Sequence, residues 1–192
     1  MNKFIIIDKS DYINAINLQL GLYQPLKGFV TLEEFKNILS NKKVNNSNFT
    51  IPINLFCSKK KFDEFNLGDK IYFKYRSEIV GFINLESKFK INKSLLLKAI
   101  FGTTNKIHLG VNNYLNKLEK KSYAVGGRVS INRSRIEKFF KFSNYDALKK
   151  IEKIRYKDVA FSTRNIPHVG HNLIQKKIIE SKKKLSIFLI LS

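Results

Sequence analysis

Apolar residues recur with two periods along this chain, and the changes of period mark its elements. Phe4 to Ile7 is a short apolar run that predicts a strand. Ser10 stands where it can cap a helix carrying Ile13, Ile16 and Leu18. Residues 21–29, Gly-Leu-Tyr-Gln-Pro-Leu-Lys-Gly-Phe, read as a turn-rich loop. Thr31-Leu-Glu-Glu34 forms a capping box, with Val30 and Phe35 placed as a hydrophobic staple. Leu32, Phe35, Ile38 and Leu39 give that helix its apolar face. The Asn- and Lys-rich residues 41–48 read as an exposed loop.

From Thr50 to about Asn132 the pattern predicts mostly short strands. Thr50 to Phe56 is extended, with Pro52 marking an edge or a strand end. A turn over Asn66 to Asp69 leads into a strand over Lys70 to Tyr75, and Ile79 to Leu85 is the next strand. Leu95, Leu96, Ala99 and Ile100 predict a short helix that Gly102 stops. Val111, Tyr114, Leu115 and Leu118 mark a second helical face. Tyr123 to Ser130 reads as a strand kinked or bulged at Gly126-Gly127. A helix follows, starting near Ser143 and carrying Ala147, Leu148, Ile151 and Ile154.

The last part reads as strand, loop, helix and strand: Val159 to Phe161, then Gly170 to Ser181 with Ile174 and Ile178 on one face, then Leu185 to Leu191. The expected class is α+β: a β-rich domain over residues 1–155, connecting helix included, then the first β-α-β of a parallel α/β domain over 156–192. A lone β-α-β unit has two open strand edges and one uncovered sheet face. Either a partner completes it or the chain is part of a longer protein.

A formal charge of +21 on 192 residues predicts an anionic partner. The lysines are dispersed along the chain, so biased composition accounts for much of the excess, and the dispersal argues against nucleic acid. Cys57 is the single cysteine, which excludes an internal disulfide framework and a cysteine zinc cluster. The apolar run at the start is too short for a signal peptide and the one at the end too short to span a bilayer, so a cytoplasmic protein without a membrane segment is expected.

The candidate chemistry lies in residues 159–171, Val-Ala-Phe-Ser-Thr-Arg-Asn-Ile-Pro-His-Val-Gly-His. His168 and His171, three apart, share one side of a first helical turn. Gly170 lets a ligand approach the backbone, Arg164 offers a planar fork for phosphate or sulfate, and Asn165 can donate to an oxyanion. A strand feeding a helix N-terminus suits a phosphoryl group and the charge that develops on it. No P-loop signature occurs. Zinc fails on ligand count, since only His108 remains beyond the pair.

Phe161-Ser-Thr-Arg-Asn-Ile-Pro-His-Val-Gly-His171 resembles the signature loop of the ATP sulfurylase (sulfate adenylyltransferase) family, F-Q-T-R-N-P-x-H-x-G-H. Further matches run in order through nearly the whole chain: Pro25-Leu-Lys-Gly-Phe29, Ile51-Pro-Ile53, Leu67-Gly-Asp69, Phe101-Gly-Thr103 with His108-Leu-Gly-Val111, and Val125-Gly-Gly127. The resemblance implies a PUA-like β-barrel followed by the start of a Rossmann-like nucleotidyltransferase domain, incomplete in this chain. It implies that ATP and sulfate become adenylyl sulfate and pyrophosphate, with Mg2+ accompanying ATP, and homo-oligomers are compatible with it.

By position, the resemblance implies catalytic roles for Thr163, Arg164 and Asn165. It puts Ser162, Arg164, Asn165, His168 and His171 at ATP, and Ser162 and Arg164 at sulfate. The departures are Ser162, where the family has Gln, and Ile166, which shifts the proline to Pro167 while the histidines keep their register. The G-R-D motif of the family's further ATP-binding loop is not found after His171. Two other readings stay open: adenylyl transfer to another oxyanion, and a PUA-like RNA-binding module without catalysis.

Overall fold

The computed structural model describes residues 3–140, 158–163, 169–181 and 186–191, with side chains over 3–136 and 169–180. The chain divides into two compact units, Met1–Ile136 and Glu137–Ser192. The boundary expected at residue 155 and the helix expected over 143–154 lie outside the described residues.

The first unit is built on a mostly antiparallel sheet. Strand β1 (Lys3–Ile6) lies parallel to a later strand, Lys70–Tyr75, with Phe4 opposite Tyr72. Its alternation sets the faces: Ile5 and Ile7 are 4% exposed and Ile6 is 73% exposed. Helix α1 (Lys9–Gln19) is capped by Asp8, not by Ser10; the Asp8 carboxylate accepts the Asp11 N–H at 2.8 Å. An anion there caps and also meets the positive end of the helix, which a hydroxyl inside the first turn does not.

β2 (Gly28–Phe29) is a two-residue strand inside the expected loop. Helix α2 (Leu32–Asn41) starts on the capping box as read: Thr31 and Glu34 exchange both hydrogen bonds, and Val30 and Phe35 are buried. Phe35 and Ile38 face inward, whereas Leu32 is 37% exposed. The stretch expected as a loop folds into a hairpin of β3 (Lys43–Val44) and β4 (Ser47–Asn48). Asn45 and Asn46 form its turn at φ 46 and 64, the left-handed geometry that a two-residue hairpin turn demands.

Strand β5 (Leu55–Cys57) is shorter than the extended run that contains it, and α3 (Lys59–Glu64) follows as a helix the pattern did not announce. β6 (Lys70–Tyr75) and β7 (Glu78–Asn84) pair antiparallel with a register shift at Phe73/Lys74. β8 (Ser87–Lys90) leads to α4 (Lys93–Phe101), which Gly102 ends in the left-handed region at φ 70. His108 caps α5 (Leu109–Lys120), its Nδ1 accepting the Val111 N–H at 3.4 Å. Its ring centroid lies 5.3 Å from that of Phe101.

β9 (Tyr123–Ile131) joins the unit together. It pairs antiparallel with β5 and β8 through its first half and with β2 and β7 through its second. The change falls at Gly126-Gly127, with Gly127 at φ 146. A Cβ on Gly126 would strike the Val30 carbonyl, and one on Gly127 the Asn84 carbonyl. The glycine pair therefore lets β9 pass two other backbones where no side chain fits. Helix α6 (Arg133–Phe140) follows.

Among the described residues of this unit one charged group is buried. Asp11 is 1% exposed, and Lys117 of α5 reaches it at 3.0 Å from Oδ1 and also lies 3.5 Å from Asp8 Oδ2. Burial pushes the Asp11 carboxyl above its ordinary pKa, and Lys117 offsets only part of that. Burial also works to raise Asp8, but the Asp11 N–H and Lys117 outweigh it and leave its pKa lowered. Lys117 is itself penalised by burial, yet Asp11 and Asp8 hold its pKa above the ordinary lysine value. This pair links α1 to α5 through a charge contact.

Candidate functional site

In the second unit β10 (Asp158–Thr163) and β11 (Ser186–Leu191) pair in parallel, from Asp158 opposite Ser186 to Thr163 opposite Leu191. Parallel strands require a crossover, and α7 (Val169–Ser181) lies between them in sequence as the helical part of it. The strand, helix and second strand read from the sequence are thus present, with β11 starting at Ser186.

Ser162 and Thr163 end β10. His171 lies in the first turn of α7, half-buried and engaged with other groups. Gly170 precedes it, half-buried as well. Arg164, Asn165 and His168 lie outside the described residues, as does the whole connection 164–168. The structure therefore brings Ser162 and Thr163 to the carboxyl end of a parallel strand and His171 to the start of the next helix. In parallel α/β units that end of a strand is where ligands bind. The first-turn N–H groups of a helix lack internal partners and carry partial positive charge. No acidic side chain occupies the first turn of α7.

Much of the apolar side of α7 is exposed. Ile174 is 51% exposed and Ile178 half-buried, and Val169, Leu173 and Ile179 are 75%, 57% and 51% exposed. Among the described residues of this unit only two strands accompany this helix of 13 residues, too little surface to cover it.

In the first unit some of the residues that carry the family resemblance hold packing positions, whereas Ile51, Leu67 and Leu109 are 51%, 64% and 74% exposed. Leu26 and Phe29 are 2% and 1% exposed. A Cβ on Gly110 would sit 2.7 Å from the Phe101 ring. His108 is engaged as a helix cap. Among the described residues no three or more His, Cys, Asp and Glu side chains gather as metal ligands, and no helix is long and apolar enough to cross a membrane. The groups that sequence reasoning missed are Asp11 and Lys117. Lone charged residues carry no sequence signal of burial, and only the fold brings these two together.

Comparison with known proteins adds three findings. The PUA-like domain family matches residues 2–134. The sulfate adenylyltransferase of Thermococcus onnurineus is 32% identical over 178 residues, 88% of this chain and 44% of that protein. That of Pyrococcus abyssi is 31% identical over the same shares, and that of Halothermothrix orenii 28% over 92% of this chain and 47% of its own length. The chain thus spans less than half the length of these relatives. Among solved structures, a hexameric APS kinase from Thiobacillus denitrificans superposes with a TM-score of 0.59 at 16% identity, covering 98% of this chain and 34% of its own. That likeness concerns the fold alone.

Proposed function

That this chain belongs to the PUA-like domain family is the premise from which we propose its function: it forms the PUA-like part of a sulfate adenylyltransferase together with the opening β-α-β of the catalytic domain. The observation that carries the reading is the similarity to sulfate adenylyltransferases, which extends past residue 134 into the strand–loop–helix. The second unit is then the start of a Rossmann-like nucleotidyltransferase domain.

In this reading a sulfate oxygen attacks the α-phosphorus of ATP. A new P–O–S linkage forms while the bond to the bridging oxygen of pyrophosphate breaks. Pyrophosphate leaves with that electron pair, and magnesium enters and leaves as part of the nucleotide substrate. Arg164 offsets charge as it builds on the α-phosphate oxygens and holds sulfate in line. Thr163 and Asn165 orient the reacting groups. His168 and His171 hold phosphate oxygens at the N-terminus of α7, where the backbone N–H groups assist them. Ser162, at the end of β10, donates a single hydroxyl to sulfate. That is a weaker hold than the amide the family places there, so acceptor selection is the least constrained part of the site.

With part of the site on this chain, MgATP should bind weakly and sulfate-dependent pyrophosphate release should be negligible. Titration of the 192-residue chain with MgATP should shift the amide signals of Gly170 and His171, and Arg164→Ala should weaken that binding about tenfold. Signals at Gly170 and His171 that stay in place at millimolar MgATP would overturn the reading. Pyrophosphate release by the chain alone, at a rate set by sulfate, would overturn the partial site.

A further inference from the structure

The PUA-like unit carries an open groove that this chemistry does not use. The groove encloses ≈ 520 Å³ and is lined by Gln19, Gln24, Lys27, Asn45 and Arg128 over a floor of apolar residues. No acidic side chain lines it. A smaller adjoining cavity of ≈ 150 Å³ shares Lys27, Asn45 and Arg128 and adds two carboxylates. Glu34 closes the α2 capping box, and Glu86 Oε1 accepts the Arg128 backbone N–H at 3.3 Å, so an anion is better placed in the larger groove, which has no carboxylate in its walls.

The antiparallel pairing of β2 with β9 creates the juxtaposition. Gly28 stands opposite Arg128, which brings Lys27, just before β2, near Arg128 within β9. Both side chains are exposed, and neither charged head has a hydrogen-bond or ion-pair partner among the described residues. Both cations line the walls of the groove and of the smaller cavity. Three carboxamides stand around the two cations. Gln19 Oε1 accepts the Ile131 N–H at 3.3 Å, which leaves its NH₂ group as a donor. Asn45, fixed in the left-handed hairpin turn, belongs to the walls of both cavities.

We propose that this groove is an oxyanion site for a small organic phosphate or sulfate ester. The anionic head sits between Lys27 and Arg128 with carboxamide donors around it, and the organic part lies on the apolar floor. The volume is in the range of small-molecule sites, and the donor set matches a tetrahedral oxyanion with several lone pairs to satisfy. The site is independent of the nucleotide reading, because all its residues lie in the first unit.

Phenyl phosphate and inorganic phosphate serve as probes on the full chain at moderate salt. Saturable amide shifts should appear at Gly28, Asn45 and Gly127, with Gly170 and His171 unmoved. The paired substitutions Lys27→Gln and Arg128→Gln should weaken phenyl phosphate binding at least about tenfold. Without ligand this variant should melt close to the parent chain, since both side chains are exposed and their charged heads hold no partner among the described residues. Lys176→Gln with Lys177→Gln, on α7, should leave the affinity unchanged. Absence of saturable shifts at about 10 mM phenyl phosphate, a range that millimolar affinity must reach, would overturn the proposal. So would equal weakening by the α7 substitutions, which would show diffuse attraction to a cationic surface. Binding of inorganic phosphate as tight as that of phenyl phosphate would remove the organic part of the ligand from the proposal.

Discussion

Lys117 is the residue on which the link between α1 and α5 depends. Replacing it by Met would leave the Asp11 carboxylate buried without the cation that compensates it, at a cost on the order of 3 kcal/mol. A fall in the urea midpoint would register that loss, and replacing Asp11 by Leu in the same chain should recover most of it. The acid side of the stability profile follows from the two aspartates. Asp8 has a lowered pKa, so its contribution is fully present above 3.8, its unfolded value, and fades as pH falls through the folded one. Asp11 has a raised pKa, so folding favours its neutral form, and that contribution is lost as pH rises from 3.8 through the folded value. Asp11→Asn should therefore gain on the parent chain as pH rises from about 3.5 to 6. A difference in urea midpoint that does not change over that window would exclude this account. Cys57 is 2% exposed, and burial pushes its thiol up to about 11. A disulfide-exchange reagent at pH about 8 should leave it unmodified in the native chain and modify it fully in urea.

Among the elements, those set by local chemistry could be read directly and those set by tertiary pairing could not. The α2 capping box and the Gly102 stop are contacts between residues a few positions apart, and both form as read. β8 has only Phe89 as an inward apolar residue and exists because β9 pairs with it. The β3–β4 hairpin was missed because its strands are two residues long and its turn is Asn-Asn in place of Asn-Gly. Asn46→Gly should therefore be neutral or slightly stabilising, and Asn46→Val should lower stability by about 1–2 kcal/mol in chemical denaturation. The Gly126-Gly127 kink was legible as a break in a strand, but its reason was not: two carbonyls occupy the space a side chain would need. Gly126→Ala should be among the most damaging single changes, by about 3 kcal/mol or more, scored by loss of the cooperative melt.

At the scale of the molecule, +21 charges on 192 residues oppose compaction, and the ion pairs of the first unit are few and mostly near the surface. Raising KCl from about 20 mM to 0.3 M should raise Tm, because screening relieves more repulsion than attraction; a lower Tm would mean that the ion pairs dominate. Residues 1–140 alone should melt cooperatively, since the first unit holds its own core. Of the candidate site, the strand–loop–helix order was legible because it is contiguous and patterned. The Lys27–Arg128 groove was not, because its two cations are far apart in sequence and meet only through the β2–β9 register.

The position of β9 has a consequence for synthesis. It pairs with four strands that all precede it in the chain, so β2, β5, β7 and β8 emerge from the ribosome before the strand that unites them. At roughly 5–20 residues per second, the nascent chain carries unpaired strand edges for several seconds. A chain arrested before residue 123 should be degraded readily by protease, and one arrested well past residue 140 should be protected. The most dangerous interval in this protein's life is therefore the time between making its first strand and making its ninth.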